Sequence, residues 1–377
     1  MTRILEVLRS FGLLGVTAFG GPTAHLGYFR EEFVVRRKWL SDTDYSEVVA
    51  ISQLLPGPGS SQVGLALGYH RAGFGGLLAA WFAFTLPAAV LMTAFAMLID
   101  APDAGWTQGL LAAAVAVVFH AVSGMARSMA STAITATIAA AAGIAVLAFP
   151  STITHLLIIV VAGVLGALLL RSDTNGAAEQ ATGTRPVPAW AGVGSLVLLA
   201  VGLVAAVVVG GFYPAFFQAG SVVFGGGHVV LPVLEQLVVV PGWINQTDFL
   251  AGYSAAQAVP GPMFSFGTYL GAVHGGVLGA VIATVLIFLP GALLMLGGLH
   301  FWGKWRTQPT LQAAVRGINA GVVGLLAAAL YDPVFTHGIT GVPTLAIAAV
   351  CWLGLAKWKT PPWAVAVGAA LAGWVLL

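Results

Sequence analysis

The stretch Gln53–Gln62 reads QLLPGPGSSQ, and the stretch Gln257–Phe266 reads QAVPGPMFSF. Both lie inside long apolar runs that contain no Asp, Glu, Lys or Arg. Proline removes a helical hydrogen bond and glycine raises the entropic cost of a helix, so each stretch predicts a break in a helix. In lipid, an unwound backbone is tolerated only where protein or a water-filled cavity satisfies its polar groups. We therefore expect both stretches to line a protected polar cavity.

The composition places these breaks in a membrane. Of the 377 residues, 59% are apolar and only 7% are charged, whereas soluble domains average about 45–50% and about 25%. Charge-free runs of about 20 residues, the length that a spanning helix needs, recur along the chain. This excludes a soluble enzyme and a nucleic-acid-binding protein. It predicts an all-α polytopic membrane protein.

Signatures of enzymatic chemistry do not stand out in the sequence. We find no paired carboxylates, phosphate-binding loop, catalytic triad or cluster of metal ligands. The single cysteine, Cys351, excludes an internal disulfide framework. We therefore expect a protein that is not an enzyme and that uses no cofactor and no metal. The first residues also lack the cleavage pattern of a signal peptide, so the N-terminus is expected to be retained.

The two halves of the chain repeat each other. At an offset of 204 residues Pro56–Pro58 matches Pro260–Pro262, and at 205 residues Phe19–Gly21 matches Phe224–Gly226. Internal repeats of this kind are typical of membrane transporters. The predicted domains are an N-terminal repeat over residues 1–170, a linker with a linking transmembrane helix over 171–211, and a C-terminal repeat over 212–377.

Matching loops of the repeats carry different charges. Residues 30–38 contain four Lys or Arg and residues 235–242 contain none; residues 100–103 contain two Asp, whereas residues 304–306 contain Lys and Arg. Since short loops rich in Lys and Arg stay cytoplasmic, the repeats are predicted to be inverted. We expect two re-entrant hairpins of broken helices per half. The alternative makes each hairpin one or two full spans, with about thirteen spanning helices in all.

The helix that restarts after the first Pro-Gly-Pro is predicted to bind an anion. Its first N–H groups have no helical partner and its dipole is positive at that end. Ser60, Ser61 and Gln62 can add side-chain donors. His25 and His228 follow the Phe-Gly-Gly breaks, where a histidine can accept a proton or contact an anion. The alternative is a kinked helix without a ligand and histidines that only pack.

The sequence resembles the chromate ion transporter family in its long, two-domain form. In the first half the resemblance rests on FGGPTAH at Phe19–His25, RRKWL at Arg36–Leu40 and the stretch Gln53–Gln62. In the second half it rests on FGGGHVVLP at Phe224–Pro232 and QAVPGP at Gln257–Pro262. The resemblance implies efflux of chromate from the cytoplasm, chromate resistance, and sulfate as a competing anion.

The breaks and the resemblance together select the candidate site residues. A dianion in a low-dielectric cavity needs cationic help, which arginine suits, although arginines beside spans can also serve only to orient the protein. The predicted substrate-binding residues are Gly20, Gly21, Pro22, His25, Gln53, Gly57, Ser60, Ser61, Gly225, Gly226, Gly227, His228, Gln257, Gly261 and Ser265. The residues predicted to attract the anion are Arg30, Arg71, Arg127 and Arg316.

These observations predict a multi-pass protein of the cell inner (plasma) membrane. Its expected partners are chromate, sulfate and the lipid bilayer, and no nucleic acid. The sequence leaves the oligomeric state undecided, with a homodimer as one alternative. One alternative function is an importer or exchanger of sulfate or another oxyanion. A second is a non-transporting membrane scaffold or receptor, which would have no need of the repeated Gly/Pro breaks.

The inverted orientation can be tested by labelling. Single cysteines placed at Trp39 and at Trp243, in a chain whose Cys351 is replaced by serine, should react with an impermeant maleimide from opposite sides of the membrane, because Lys/Arg-rich loops stay inside. Labelling of intact cells against inverted vesicles measures this. Labelling of both positions from one side would contradict the inversion.

Overall fold

The computed structural model describes residues 2–18, 21–98, 105–170, 185–224, 229–305 and 308–377. Every regular element within those ranges is helical. The first half contains α1 (Arg3–Thr17), α2 (Gly21–Phe29), α3 (Asp42–Leu54), α4 (Gly59–Leu98), α5 (Gly105–Met129), α6 (Ala133–Ala148) and α7 (Thr152–Leu169). The second half follows the linking helix α8 (Ala189–Val209) with α9 (Phe212–Val222), α10 (Val230–Leu234), α11 (Gln246–Ala258), α12 (Phe266–Trp305), α13 (Pro309–Ala329), α14 (Thr336–Gly338), α15 (Val342–Ala356) and α16 (Pro362–Leu376).

The helix breaks predicted at the two Pro-Gly-Pro stretches are confirmed. The first separates α3 from α4, and the second separates α11 from a short 3-10 turn, Met263–Ser265, that leads into α12. Gly57 and Gly261 have φ angles of 118° and 101°, which only glycine adopts readily. The central glycine is therefore the residue that lets the chain turn between the two prolines.

Each long helix that follows a break is sharply kinked. In α4 the helical angles are lost at Ala72 and Gly73, where Gly73 has φ 64° and ψ −150°. In α12 they are lost at Gly275 and Gly276, where Gly276 has φ 59° and ψ −151°. The two halves thus repeat the same bend with nearly the same backbone angles.

The helices have the length and surface of a membrane protein. Among the described residues, five helical segments are long and apolar enough to span a bilayer: Gly59–Leu98, Gly105–Met129, Ala189–Val209, Met263–Trp302 and Pro309–Gly338. Large apolar side chains such as Leu78, Val204 and Val208 are exposed, which suits contact with lipid tails. The chain is an all-α polytopic membrane protein, as the composition predicts.

The two halves interlock through their spanning helices. Helix α5 packs against α15 and α16, and α13 packs in the reciprocal way against α6 and α7. A Cβ atom added to Gly109 would collide with the backbone oxygen of Ala369, and one added to Gly317 would collide with that of Ala162. Small residues let backbones approach this closely, and dispersion then stabilises helix pairs within lipid.

The glycine contact between α5 and α16 predicts opposite effects for two substitutions on one helix. Gly109→Ala should destabilise the fold by about 1–3 kcal/mol, because its methyl group meets backbone that cannot rotate away. Gly124→Ala should stabilise it by about 0.5–1 kcal/mol through helix propensity, since no atom lies within 4 Å of the added Cβ. Thermal unfolding of the detergent-purified proteins checks both. Equal melting temperatures would show that this contact contributes nothing.

Candidate functional site

The ends of the four broken helices meet across the two halves. The backbone N–H of Gly57, between α3 and α4, donates to the carbonyl of Val223 at the end of α9, over 2.7 Å. The N–H of Gly261, between α11 and α12, donates to the carbonyl of Ala18 at the end of α1, over 3.0 Å. Each half therefore supplies the hydrogen-bond partner that the break in the other half lacks. We refer to this meeting point, around Ala18, Gly57, Val223 and Gly261, as the junction.

His25 connects the first helix pair to the start of α4. Its ring is fully buried, with Phe84 packed edge-on at a centroid distance of 5.3 Å. The Nε2 atom lies 3.1 Å from the Ala18 carbonyl oxygen and the Nδ1 atom lies 3.2 Å from Ser60 Oγ. Because a carbonyl can only accept, Nε2 carries a hydrogen and donates it. The Ala18 carbonyl thus receives hydrogen bonds from both His25 and Gly261.

Hydrogen-bond donors gather at the N-terminus of α4. The N–H of Gln62 makes a helical bond to Pro58, so the N–H groups of Gly59, Ser60 and Ser61 lie in the turn that has no helical acceptor. The Ser61 hydroxyl is buried and has no hydrogen-bond partner among the described residues. A helix N-terminus with an adjacent hydroxyl suits an oxyanion.

Gln62 has a structural role that differs from the predicted one. Its Nε2 atom donates to the carbonyl of Pro56 over 2.8 Å and to the carbonyl of Gly291 over 3.2 Å. Both amide hydrogens are therefore committed to backbone, and the prediction that Gln62 offers a donor to a ligand is corrected. The side chain instead ties the first break to α12 of the second half.

A polar cavity of about 700 Å³ opens beside the last turn of α3. Arg316 supplies its positive charge and donates from Nη2 to the Leu170 carbonyl over 2.5 Å. The Asn319 Oδ1 atom is buried without a partner among the described residues. We call this cavity the Arg316 vestibule. Its lining consists of Gln53, Ser128, Met129, Ser131, Thr132, Ile134, Thr135, Leu169, Leu170, Arg316 and Asn319, none of which is a carboxylate.

The N-terminus of α6 forms one wall of the vestibule. Thr132 caps this helix, since its hydroxyl accepts from the N–H of Thr135 over 3.2 Å while the Thr135 hydroxyl accepts from the N–H of Thr132. The positive end of the helix dipole adds to the charge of Arg316. Sequence reasoning selected Gln53 and Arg316 but missed Asn319 and Thr132. The available signal was the rarity of polar side chains inside charge-free spans.

The residues that match Arg316 and Asn319 differ in the other half. Gly109 of α5 and Gly317 of α13 make the reciprocal contacts described above, so the counterparts of Arg316 and Asn319 are Gln108 and Leu111. Leu111 is 2% exposed and belongs to the largest hydrophobic core. The charge of Arg316 therefore has a neutral counterpart in α5, and Asn319 has an apolar, packed one.

The other three arginines predicted to attract an anion are not lining residues of the vestibule. Arg30 forms an exposed, bidentate pair with Asp42 at 2.7 and 3.0 Å. Arg71 pairs with Glu6 at 2.7 Å. Arg127 is in the last turn of α5, one residue before the lining residue Ser128.

The remaining predicted site residues differ in their surroundings. Gly21 begins α2 with φ 74° and is followed by Pro22. The Gln257 amide lies 3.5 Å from the Met263 sulfur, and Ser265 is buried in the turn before α12. The predicted residues that lie outside the described ranges are Gly20, Gly225, Gly226, Gly227 and His228.

A second cavity, of about 390 Å³, separates the kinked segments of α4 and α12. Its polar side chains are few, and two of them, Thr268 and Thr284, hydrogen-bond to each other over 2.7 Å. Most of its other lining residues are apolar. It suits an apolar occupant and does not suit a dianion. No group of three or more potential metal ligands occurs in the described part of the chain.

This architecture defines a polytopic membrane protein with a polar, cationic cavity beside broken helices, which is the arrangement of an ion transporter. The sequence model of the chromate transporter family matches residues 5–167 and 210–374, and the chain belongs to that family. Because the family is one of transporters, the expectation that the protein is not an enzyme is confirmed.

Individual relatives resemble the chain over nearly its full length. A chromate transport protein of Pseudomonas aeruginosa is 30% identical over 98% of this chain and 92% of its own. One from Cupriavidus metallidurans is 28% identical over 98% of this chain and 92% of its own. An uncharacterized transporter of Bacillus subtilis, 25% identical, aligns over 95% of its length with only 44% of this chain. No solved structure matches the chain significantly.

Substitutions of Gln62 and Gln53 should have contrasting effects on stability and transport. Gln62→Leu should destabilise the protein by about 1–3 kcal/mol, because one buried and one partly buried carbonyl lose their donor. Gln53→Leu, which changes an exposed side chain in the vestibule, should leave stability nearly unchanged and reduce anion transport. Thermal unfolding and flux measurements on both proteins test this. If Gln62→Leu melts at the wild-type temperature, its two backbone contacts do not hold the junction.

Proposed function

We propose that this protein carries chromate out of the cytoplasm across the plasma membrane. The observation that carries the proposal is the Arg316 vestibule, a cationic cavity free of lining carboxylates beside the last turn of α3. The names of the Pseudomonas and Cupriavidus relatives support chromate as the substrate. Chromate resistance would follow from this export.

The chemistry of the lining suits a tetrahedral oxyanion. Arg316 and the α6 dipole attract the anion into the vestibule. Gln53 lies in the last turn of α3, and a Cβ atom added to Gly59 would lie 3.9 Å from the carbonyl oxygen of Ser52 in the same turn. The anion is then passed to the N–H groups and hydroxyls at the start of α4. These donors replace water around the anion without a full countercharge.

The direction of transport follows from charge. The positive-inside rule assigns to the cytoplasm both Arg127, in the last turn of α5, and Arg171, which follows the lining residue Leu170 in the sequence. The vestibule is then the cytoplasmic mouth. A membrane potential negative inside favours export by about 2.3 kcal/mol per negative charge moved per 100 mV.

In an alternating-access cycle, the open vestibule would close and the matching packed contact would open. Leu111, the counterpart of the vestibule residue Asn319, is packed in the core. If the repeats are inverted, that closed contact faces the opposite side of the membrane. Rocking of one half against the other at the junction would close the vestibule and open the second mouth.

Sulfate has the same shape and charge as chromate, so we expect it to compete. An importer or exchanger of sulfate would use the same donors. Proteoliposome uptake of radiolabelled chromate, with sulfate as competitor and with voltage imposed in each direction, separates these functions. Chromate flux that sulfate inhibits supports the proposal. Sulfate flux without chromate flux would replace chromate by sulfate as the substrate.

Arg316 is the residue whose loss should weaken chromate capture most. Arg316→Gln removes a charge that contributes about 1.5–3 kcal/mol to anion binding, so KM for chromate should rise by about tenfold or more. Lys357→Gln is the matched control, since it removes an exposed charge after α15. Initial rates in proteoliposomes at several chromate concentrations measure both. Equal KM values in the two variants would reject the vestibule as the entry site.

A further inference from the structure

The hydrogen-bond geometry of His25 determines where the Ser60 proton points. Nε2 donates to the Ala18 carbonyl, so in a neutral ring Nδ1 has a lone pair and no hydrogen. The contact of 3.2 Å between Nδ1 and Ser60 Oγ is then a bond that the serine hydroxyl donates. A serine has one hydroxyl hydrogen. While it points to His25, only oxygen lone pairs remain for any other neighbour, and these repel an anion.

A second proton on His25 reverses that bond. The new Nδ1–H donates to Ser60 Oγ, and the hydroxyl hydrogen becomes free to turn toward an oxyanion. The imidazolium charge also lies one side chain away from that anion. The one covalent change is the new N–H bond on Nδ1, made with a proton taken up from solution, and the Ser60 hydroxyl rotates about its Cβ–Oγ bond.

The surroundings of His25 make its protonation depend on an arriving anion. The ring is fully buried between Phe29 and Phe84. Among the described residues, no charged side chain acts on it electrostatically. A buried cation without a partner is costly. An oxyanion at Ser60 would supply the missing counter-charge.

The ionisable groups of the neighbouring elements are occupied elsewhere. Tyr45 of α3 donates to the Leu26 carbonyl over 2.6 Å. Glu6 of α1 is twelve residues before Ala18, and Arg71 of α4 is eleven residues after Ser60, and these two pair with each other. The π-helical turn Arg30–Arg36 after α2 carries four charged residues, whose described pairs are Arg30 with Asp42, and Glu32 with Arg36 and Arg37.

The positions that match His25 and Ser60 in the second half are apolar. At the repeat offset of 205 residues Val230 corresponds to His25, and at 204 residues Phe264 corresponds to Ser60. Both are buried in the largest hydrophobic core. Among the described residues, the second half therefore does not repeat this donor pair at the matching positions.

We propose that His25 and Ser60 form a proton-dependent donor switch, so that the oxyanion binds at Ser60 together with one proton on His25. The proposal rests on the proposed function and specifies how that site is regulated. The cargo then carries one negative charge less than the free dianion. Export of a net single negative charge is still favoured by a potential negative inside.

The switch can be measured as proton uptake on binding. Calorimetric titration of the purified full-length protein with chromate, in two buffers of different ionisation enthalpy, counts the protons taken up per anion. We expect about one proton for the wild type, and a Kd that weakens by up to about tenfold per pH unit as pH rises. His25→Gln keeps a donor for Ala18 and an acceptor for Ser60 but cannot titrate. This variant should take up about one proton fewer per anion than the wild type and should bind chromate more weakly.

Two further variants isolate the effect. His155→Gln changes a buried histidine of α7 that bonds to the Ser151 carbonyl, so it should match the wild type. Proton uptake that remains in His25→Gln measures the titration of chromate itself. Ser60→Ala keeps His25 and should lose the same proton, which tests the switch if His25→Gln does not fold. Wild-type binding of chromate with no proton uptake beyond that of chromate, or unchanged uptake in His25→Gln, overturns the switch alone. Absence of chromate binding and flux in the wild type overturns the proposed function as well.

Discussion

A backbone N–H or carbonyl group that loses its helical partner inside a bilayer must find another within the protein, because lipid offers none. In this chain two reciprocal hydrogen bonds meet that requirement, from Gly57 to Val223 and from Gly261 to Ala18. Each half completes the breaks of the other. The two bonds hold the start of α4, whose N–H groups we propose as anion donors, against the second half.

The scaffold is repeated, whereas the chemistry is not. Both halves turn at a glycine between two prolines and kink again with nearly the same angles. At several matching positions one copy has a polar side chain, and the other copy has an apolar side chain packed in the core. One copy can thus present donors while the other provides rigid support. The contrasting pairs are His25 and Val230, Ser60 and Phe264, and Asn319 and Leu111.

Much of this architecture could be predicted because proline and glycine act locally. The Pro-Gly-Pro break follows from a missing N–H and a glycine with positive φ, whatever the rest of the fold does. The role of Gln62 could not be predicted in this way. Its amide is held by Gly291, which is distant in sequence. Likewise, nothing in the sequence near Gln53 indicates that it shares a cavity with Arg316.

By itself, the sequence determined the class of protein, the helix breaks and the repetition of the halves, because hydrophobicity, proline and glycine impose these through short-range physics. Only the tertiary structure decided which polar groups meet. The contact of His25 with Ser60, the shared carbonyl of Ala18 and the one-sided vestibule depend on how helices far apart in the chain pack. Packing is a property of three-dimensional shape, and the spacing of residues along a chain does not contain it.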